Sequence, residues 1–330
     1  MAEGAEGLDK EFTVVITGPA LAEPAMQELA GKCRIIKAEP YASAREIETI
    51  VRESRADGLI VRMGQIDAGV IEASDRLKVI TKHGTGTDNI DRESADRANV
   101  PVMITPTANY ESVAEHALGL LLAIGRGVVY LDDRMRQGNW DKSTFKGKEL
   151  YGKTLGIVGY GRIGQRLAEL VQPMAMNILV FDPFLKALKD ATEATLVREL
   201  EHLLKVADFV SLCCPLTPQT SNLIGALQFK TMKNSAFLVN TARGGVVDEA
   251  ALETALANGE IAGAALDTFA QEPPEKVSSF ARFDNVILTP HIGGVSQESF
   301  ERMGMQAVKN VLDVLESRPL DPACVLDATV

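Results

Sequence analysis

Short β-rich runs alternate with helical patterns from one end of the chain to the other, and this alternation narrows the possible folds most. A first series reads TVVIT (13–17), CRIIKA (33–38), GLIVR (58–62), KVITK (78–82) and VMIT (102–105). A second reads TLGIVG (154–159), ILVFD (178–182), FVSLCC (209–214), AFLVNT (236–241), AALDTF (264–269) and NVILTP (285–290). Helical periodicity lies between them, as in AREIETIVRES (44–54), where Ile47, Ile50 and Val51 share a face. Strands alternating with helices imply parallel strands joined by right-handed crossovers. Near-continuous apolar runs suit strands covered on both faces. With 330 residues the chain has room for two modest domains.

Residues 112–135 form a long helical stretch between the two series, with Ser112 and Glu115 at capping-box spacing at its start. Its apolar face carries Val113, Ala117, Leu120, Leu121 and Ile124, which suggests one helix crossing between domains. A closing amphipathic helix is expected over 296–317, followed by an irregular tail, PLDPACVLDATV.

Composition excludes several classes. Lys and Arg total 34 against 45 Asp and Glu, a net charge of −11, which argues against nucleic acid or an anionic membrane as partner. The N-terminal stretch MAEGAEGLDKEF has no apolar signal core, and no apolar run approaches the roughly 20 residues a membrane span needs. Cys33, Cys213, Cys214 and Cys324 form no CxxC pair, so reduced, buried thiols in a cytoplasmic protein are expected. No metal-ligand cluster stands out.

The strand TLGIVG runs into Gly159-Tyr160-Gly161-Arg162-Ile163-Gly164, and a helical pattern follows with Leu167, Leu170 and Val171 until Pro173. Here Gly159 allows a tight turn, Gly161 a close approach of a pyrophosphate, and Gly164 close packing of helix on strand. The helix start supplies amide donors and partial positive charge. The next strand ends in Asp182, 18 residues beyond Gly164. An acid there can bind both hydroxyls of an adenosine ribose and repels a 2′-phosphate, so NAD is expected rather than NADP. Three ionisable residues lie just past later strands: Arg243 in VNTARGGVVDE, Glu272 in LDTFAQEPP and His291 in LTPHIGG. In an open α/β sheet such strand ends converge on the ligand crevice.

Several blocks in order now carry a resemblance: HGTGTDNID (83–91), ANYESVAEHALGLLLA (108–123), GIVGYGRIGQ (156–165), PLTPQT (215–220), NTARGGVVDE (240–249), LDTFAQEP (266–273) and TPHIGG (289–294). The chain resembles the D-isomer-specific 2-hydroxyacid dehydrogenases over nearly its whole length. The resemblance implies an α/β protein of two doubly wound parallel-sheet domains with a cleft between them. One would be a flavodoxin-like substrate domain from residues 1–107 plus 295–330, the other an inserted Rossmann NAD-binding domain from 108–294. It further implies a homodimer, with Trp140 in the pairing arm, acting on a small 2-hydroxy or 2-keto acid.

The family's roles fall on matching positions. Arg243 would bind the substrate carboxylate and keto oxygen. His291 would be the general acid for reduction and the base for oxidation, with Glu272 fixing its tautomer and favouring its protonated form. Arg162 and Ile163 would lie on the pyrophosphate, and Asp267 would face the nicotinamide amide. Cys214, Pro215, Thr241, Ala242, Gly293 and Gly294 would line the cofactor. Gly84, Thr85 and Gly86 would offer amides to the substrate carboxylate, and Arg62 would sit near the substrate. His83 flanks that turn, His116 is expected to be packed in its helix, and His202 has no expected role.

The substrate is left among D-3-phosphoglycerate, D-glycerate or hydroxypyruvate, and glyoxylate. Arg62 with Lys82 could hold a phosphate, but Met63 stands where phosphoglycerate enzymes usually carry a small polar residue. At 330 residues, the C-terminal regulatory domain of the longer phosphoglycerate enzymes is not expected. An NAD(H)-sensing corepressor of the same fold is the alternative. Formate dehydrogenases carry Gln where Glu272 stands, which argues against that branch.

Overall fold

The computed structural model describes residues 11–188, 193–274 and 279–326. The N-terminal stretch to residue 10 and the last four residues of the tail, read above as lacking a signal and as irregular, lie outside the described residues. The chain divides into one unit of Met1–Asn109 with Ser296–Val330 and a second of Tyr110–Val295.

The first unit carries β1 (Phe12–Thr17), α1 (Glu23–Lys32), β2 (Cys33–Ala38), α2 (Ala44–Ser54), β3 (Gly58–Val61), α3 (Ala68–Glu72), β4 (Val79–Lys82), α4 (Arg92–Arg97) and β5 (Val102–Met103). Its strands are all parallel in the order β2-β1-β3-β4-β5, the flavodoxin-like order. Alternate residues explain the apolar runs. Val15, Leu59, Val61 and Ile80 pack into one layer with Ile47 and Val51 of α2, and Val14, Ile16, Ile60 and Val79 pack into the other with Leu29 of α1. Burying a side chain of this size contributes about 1.5–3 kcal/mol. The start of α2 is a capping box: the Ser43 hydroxyl accepts the Glu46 amide, and the Glu46 carboxylate accepts the Ser43 amide.

The second unit carries α5 (Tyr110–Arg126), α6 (Val128–Arg136), β6 (Thr154–Val158), α7 (Arg162–Val171), β7 (Asn177–Phe181), β8 (Ala194–Val197), α8 (Leu200–Val206), β9 (Phe209–Leu212), α9 (Ala226–Thr231), β10 (Phe237–Asn240), α10 (Glu249–Ala257), β11 (Gly263–Leu266) and β12 (Val286–Leu288). All seven strands are parallel, in the order β12-β11-β10-β9-β6-β7-β8. Successive strands run outward from β6 in both directions, so β6 and β9 flank the topological switch point. After this unit, α11 (Gln297–Leu315) returns to the first, capped by Ser296, and buries Ala307, Val308, Val311 and Leu312 beside β3 and β4.

Two expectations are corrected. The single long helix is two, α5 and α6, bent by 61°. Gly127 breaks it with φ +62, and a Cβ there would lie 2.3 Å from Phe145 Cζ. Ser112 is not the cap: α5 begins at Tyr110, and Ser112 is buried inside it. One strand, β8, falls outside both series of apolar runs. It is a four-residue edge strand, ATLV, with one residue of the four buried, so it lacks the pattern that marks the others.

Among the described residues no single helix is long and apolar enough to cross a membrane. The bent α5–α6 pair passes by composition, but the apolar face of α5 is spent in the core, where Ala114, Ala117, Leu120 and Leu121 are buried against β6 and α7 residues.

Candidate active site

The glycine turn sits where the sheet reverses its winding. Gly159 follows β6 with φ +90, a conformation that disfavours any side chain, and a Cβ there would lie 2.7 Å from the Cys214 amide nitrogen. The turns after β6 and β9 are thus pressed together. A Cβ on Gly164 would lie 2.4 Å from the Gly159 carbonyl oxygen, so α7 can begin against the turn because that side chain is missing. A Cβ on Gly161 would meet nothing within 4 Å, which leaves open space over the start of α7. No side chain caps that start, so its first amides face that space without an intramolecular acceptor from the cap.

Asp182 follows β7. Its carboxylate accepts the Tyr160 amide at 2.9 Å and the Phe184 amide at 3.0 Å, which ties the end of β7 to the glycine turn. Cys213 and Cys214 follow β9. Burial pushes their thiols up to about 12 and about 11, so both stay protonated. None of the four cysteines forms a disulfide. Pro215 is exposed beyond them, its carbonyl accepting the Thr220 hydroxyl. After β10, Thr241 is buried and its hydroxyl has no hydrogen-bond partner among the described residues. Open space at Gly161, uncapped amides, a placed acid and an orphaned hydroxyl all fit a dinucleotide.

Arg243, Glu272 and His291 follow β10, β11 and β12, three neighbouring strands of that sheet. Gly244 lets the first two loops meet: a Cβ there would lie 1.8 Å from the Phe269 carbonyl carbon. Glu272 Oε1 accepts the Phe269 amide at 2.8 Å, and Glu249 accepts the Ala270 amide at 2.8 Å, which pins the loop. Glu272 Oε2 lies 2.6 Å from His291 Nδ1. A carboxylate only accepts, so Nδ1 carries the proton that joins them. Burial alone would raise the Glu272 carboxyl, but the His291 hydrogen bond and charge, the Phe269 amide and the Arg243 charge outweigh it and hold it low. His291 is 45% exposed, and its Nε2 makes no hydrogen bond among the described residues. The Arg243 Nη1 donates to the Ala242 carbonyl at 2.7 Å, and the Ala242 amide donates to the Asn240 side chain at 3.0 Å.

His291 has φ +54, a left-handed conformation costly for a residue with a Cβ. Asp267 holds it there. The Asp267 carbonyl accepts the His291 amide at 2.8 Å, and its carboxylate accepts the Ile292 and Gly293 amides at 2.9 and 2.8 Å. The Thr289 hydroxyl also donates to that carboxylate at 2.6 Å, so its oxygen is left to accept His116 Nε2–H at 3.1 Å. Burial alone would raise the Asp267 carboxyl; bonds from His116, Thr289 and the two amides bring it down to about 2. His116 thus does more than the packing expected of it, and Thr289 joins it as a residue that sequence reasoning missed. Their signal was the polar pair itself, one in a helix and one in the LTPHIGG turn. Gly294 is half-buried in the same turn.

The remaining expected residues lie in the first unit. Arg62 follows β3, and its Nη1 donates to the carbonyls of Pro19 and Ala20. Lys82 donates to Asn89 Oδ1 at 2.8 Å, and Asn89 in turn to the Gly64 carbonyl, a bridge between two loops. Gly84 exchanges hydrogen bonds with Thr105, whereas the Thr85 and Gly86 amides make none among the described residues. His202 is exposed on α8. No group of three His, Cys, Asp or Glu among the described residues could hold a metal ion.

The reversal of winding at β6 and β9, with the glycine turn seated on it, defines a dinucleotide-binding protein of the doubly wound class. Residues 118–293 match the NAD binding domain of the D-isomer specific 2-hydroxyacid dehydrogenases, and the chain belongs to that family. It is 38% identical over 308 residues to the hydroxypyruvate reductase of Thermotoga maritima, covering 92% of this chain and 98% of that one. It is 42% identical over 270 residues to the D-3-phosphoglycerate dehydrogenase of Methanocaldococcus jannaschii, covering 81% of this chain and 51% of that one. The chain thus spans about half the length of the phosphoglycerate dehydrogenases it matches. The solved TT0316 protein of Thermus thermophilus superposes with a TM-score of 0.87 at 35% identity, covering 96% of this chain and all of that one.

Proposed function

We propose that this protein is an NAD-dependent dehydrogenase that interconverts a small D-2-hydroxy acid and its 2-keto acid. The observation that carries the reading is the 2.6 Å contact between His291 Nδ1 and Glu272 Oε2, on the same sheet whose strand β6 ends in the glycine turn. Gly159, Gly161, Arg162, Ile163 and Gly164 would hold the pyrophosphate of NAD and Asp182 its ribose. Cys214, Pro215, Thr241, Ala242, Gly293 and Gly294 would line the rest. When bound, the cofactor gives or takes a hydride at the substrate carbon.

The chain's own residues handle the proton and the charge. With Nδ1 committed to Glu272, the Nε2 of His291 faces outward as the exchangeable position. In reduction it gives a proton to the oxygen that gains negative charge; in oxidation it removes one. Arg243 binds the substrate carboxylate and that oxygen, which lowers the cost of the developing charge. Asp267 has its carboxylate committed to Thr289, Ile292, Gly293 and His116, which supports a role in holding His291 rather than in meeting the nicotinamide amide. Arg62, Thr85 and Gly86 would receive the acid end of the substrate, with Gly84 shaping their turn.

An unphosphorylated short acid, hydroxypyruvate or glyoxylate, is favoured because Lys82 is engaged with Asn89, so Arg62 lacks the second cation that a phosphate would call on there. Loss of NADH absorbance across phosphohydroxypyruvate, hydroxypyruvate, glyoxylate and pyruvate tests the reading. No turnover of any would overturn it, and a kcat/KM led by phosphohydroxypyruvate would move the substrate to the phosphorylated acid.

A homodimer is part of the proposal. Helix α6 has no buried residue, and Val128, Val129, Met135 and Trp140 expose large apolar side chains along it and just after it. Thiols outside any disulfide suit a reducing, cytoplasmic setting.

A further inference from the structure

The Arg62 side chain is restrained on two sides. Its Nη1 donates to the Pro19 carbonyl at 2.6 Å and to the Ala20 carbonyl at 2.8 Å. Its guanidinium carbon lies 5.0 Å from the centroid of the Phe300 ring. Phe300 sits in the first turns of α11, half-buried, and turns its ring toward a cation rather than wholly into the core. On the same ring rests His83, with centroids 5.4 Å apart and planes tilted by 58°. The His83 Nε2 is buried with no hydrogen-bond partner among the described residues. Burial first, and the Arg62 charge second, push His83 down to about 4, so it is neutral near pH 7.

We propose that Phe300 is a positioning residue that fixes the guanidinium of Arg62 so that its Nε–Nη2 edge receives the anionic end of the substrate. The inference rests on the reading above that Arg62 meets the substrate acid.

The physical case is a count of donors and degrees of freedom. An arginine carries about 2 kcal/mol of rotamer entropy that must be given up when it grips an anion. Two carbonyls fix one nitrogen, but rotation about that anchor remains. A ring face below the guanidinium removes it, through a cation–π contact and flat packing. With Nη1 used, Nε and Nη2 are the donors left, and they make no hydrogen bond among the described residues. They form the parallel pair that matches two oxygens of a carboxylate or phosphate. A neutral His83 completes the arrangement by sharing the ring without competing for the anion.

The test compares Phe300→Leu, Phe300→Tyr and Arg62→Ala, alone and with Phe300→Leu, using NADH and a keto acid the wild type reduces. Phe300→Leu should raise KM roughly 3- to 30-fold, the range of a cation–π contact, with kcat within about 2-fold. NADH affinity by fluorescence titration should not move, Phe300→Tyr should restore KM, and adding Phe300→Leu to Arg62→Ala should change nothing further. If Phe300→Leu leaves KM unchanged while Arg62→Ala raises it, the positioning role is overturned and the substrate reading of Arg62 stands. If Arg62→Ala itself leaves KM unchanged, that reading falls and takes the inference with it.

Discussion

The backbone of His291 is held by Asp267, while the His291 ring is held by Glu272. Asp267 takes the His291 amide on its carbonyl and the next two amides on its carboxylate, and Glu272 takes Nδ1. The two acids therefore divide one task, and substituting each should give a different defect.

Asp267→Asn should be mainly a stability defect. The Asp267 carboxyl titrates at about 2 in the folded chain. The unfolded value is near 3.9, so its stabilisation is present above that pH and lost as pH falls from about 4 to about 2. Removing the charge from several hydrogen bonds costs roughly 2–4 kcal/mol at pH 7. Urea unfolding at pH 7 and pH 3 reads this: the wild type should lose much of its margin over Asp267→Asn at the lower pH.

Glu272→Gln should be mainly a defect of pH dependence. The Glu272 carboxyl is held low, so it is anionic near neutrality and favours the protonated imidazole. In the proposed reaction, keto-acid reduction would need that proton, so its rate should fall as pH rises while hydroxy-acid oxidation should rise. Without the anion both limbs should move to lower pH. Rate profiles from pH 5 to 9 check it, and unmoved limbs would remove Glu272 from the tuning of His291.

Asp182 should set cofactor choice. Asp182→Ser removes the charge that repels a 2′-phosphate and should reduce the preference for NADH over NADPH about 10-fold or more. Fluorescence titration with both cofactors measures the ratio.

Gly244→Ala should fail because of a contact between two loops. The new methyl would meet the Phe269 carbonyl carbon at 1.8 Å, so one backbone must move. Overpacking of this kind costs about 1–3 kcal/mol, and here it displaces the loop that carries Glu272. Thermal melting and the pH profile of the variant should change together.

Exposed Val129 and Met135 should belong to the interface between two copies. Val129→Asp with Met135→Lys should give a monomer by light scattering while far-UV circular dichroism stays unchanged, since neither side chain is buried.

Much of this was legible because burial on both sheet faces writes continuous apolar runs. CRIIKA has the same bounds as β2, and GxGxxG stands between a strand and a helix as the fold requires. What escaped has physical reasons. Strand β8 is at an edge and needs few apolar residues. The break at Gly127 depends on Phe145, distant in sequence and invisible to periodicity. Ser112 has cap spacing, but nothing local distinguishes a cap from a buried serine inside a helix. The His116–Thr289–Asp267 chain joins residues as far as 173 positions apart, and no local pattern encodes such a contact.

Strand β12 spans only Val286–Leu288 and pairs on one side alone, with β11. His291 hangs from this rim, three residues beyond it. A short edge strand frays at a lower free energy than the centre of a sheet. Fraying there would part the imidazole from its carboxylate while β6 and β9 stay intact. On the proposed role of His291, catalytic lifetime would then be decoupled from melting temperature: activity should go silent under mild denaturant while the fold still registers as native.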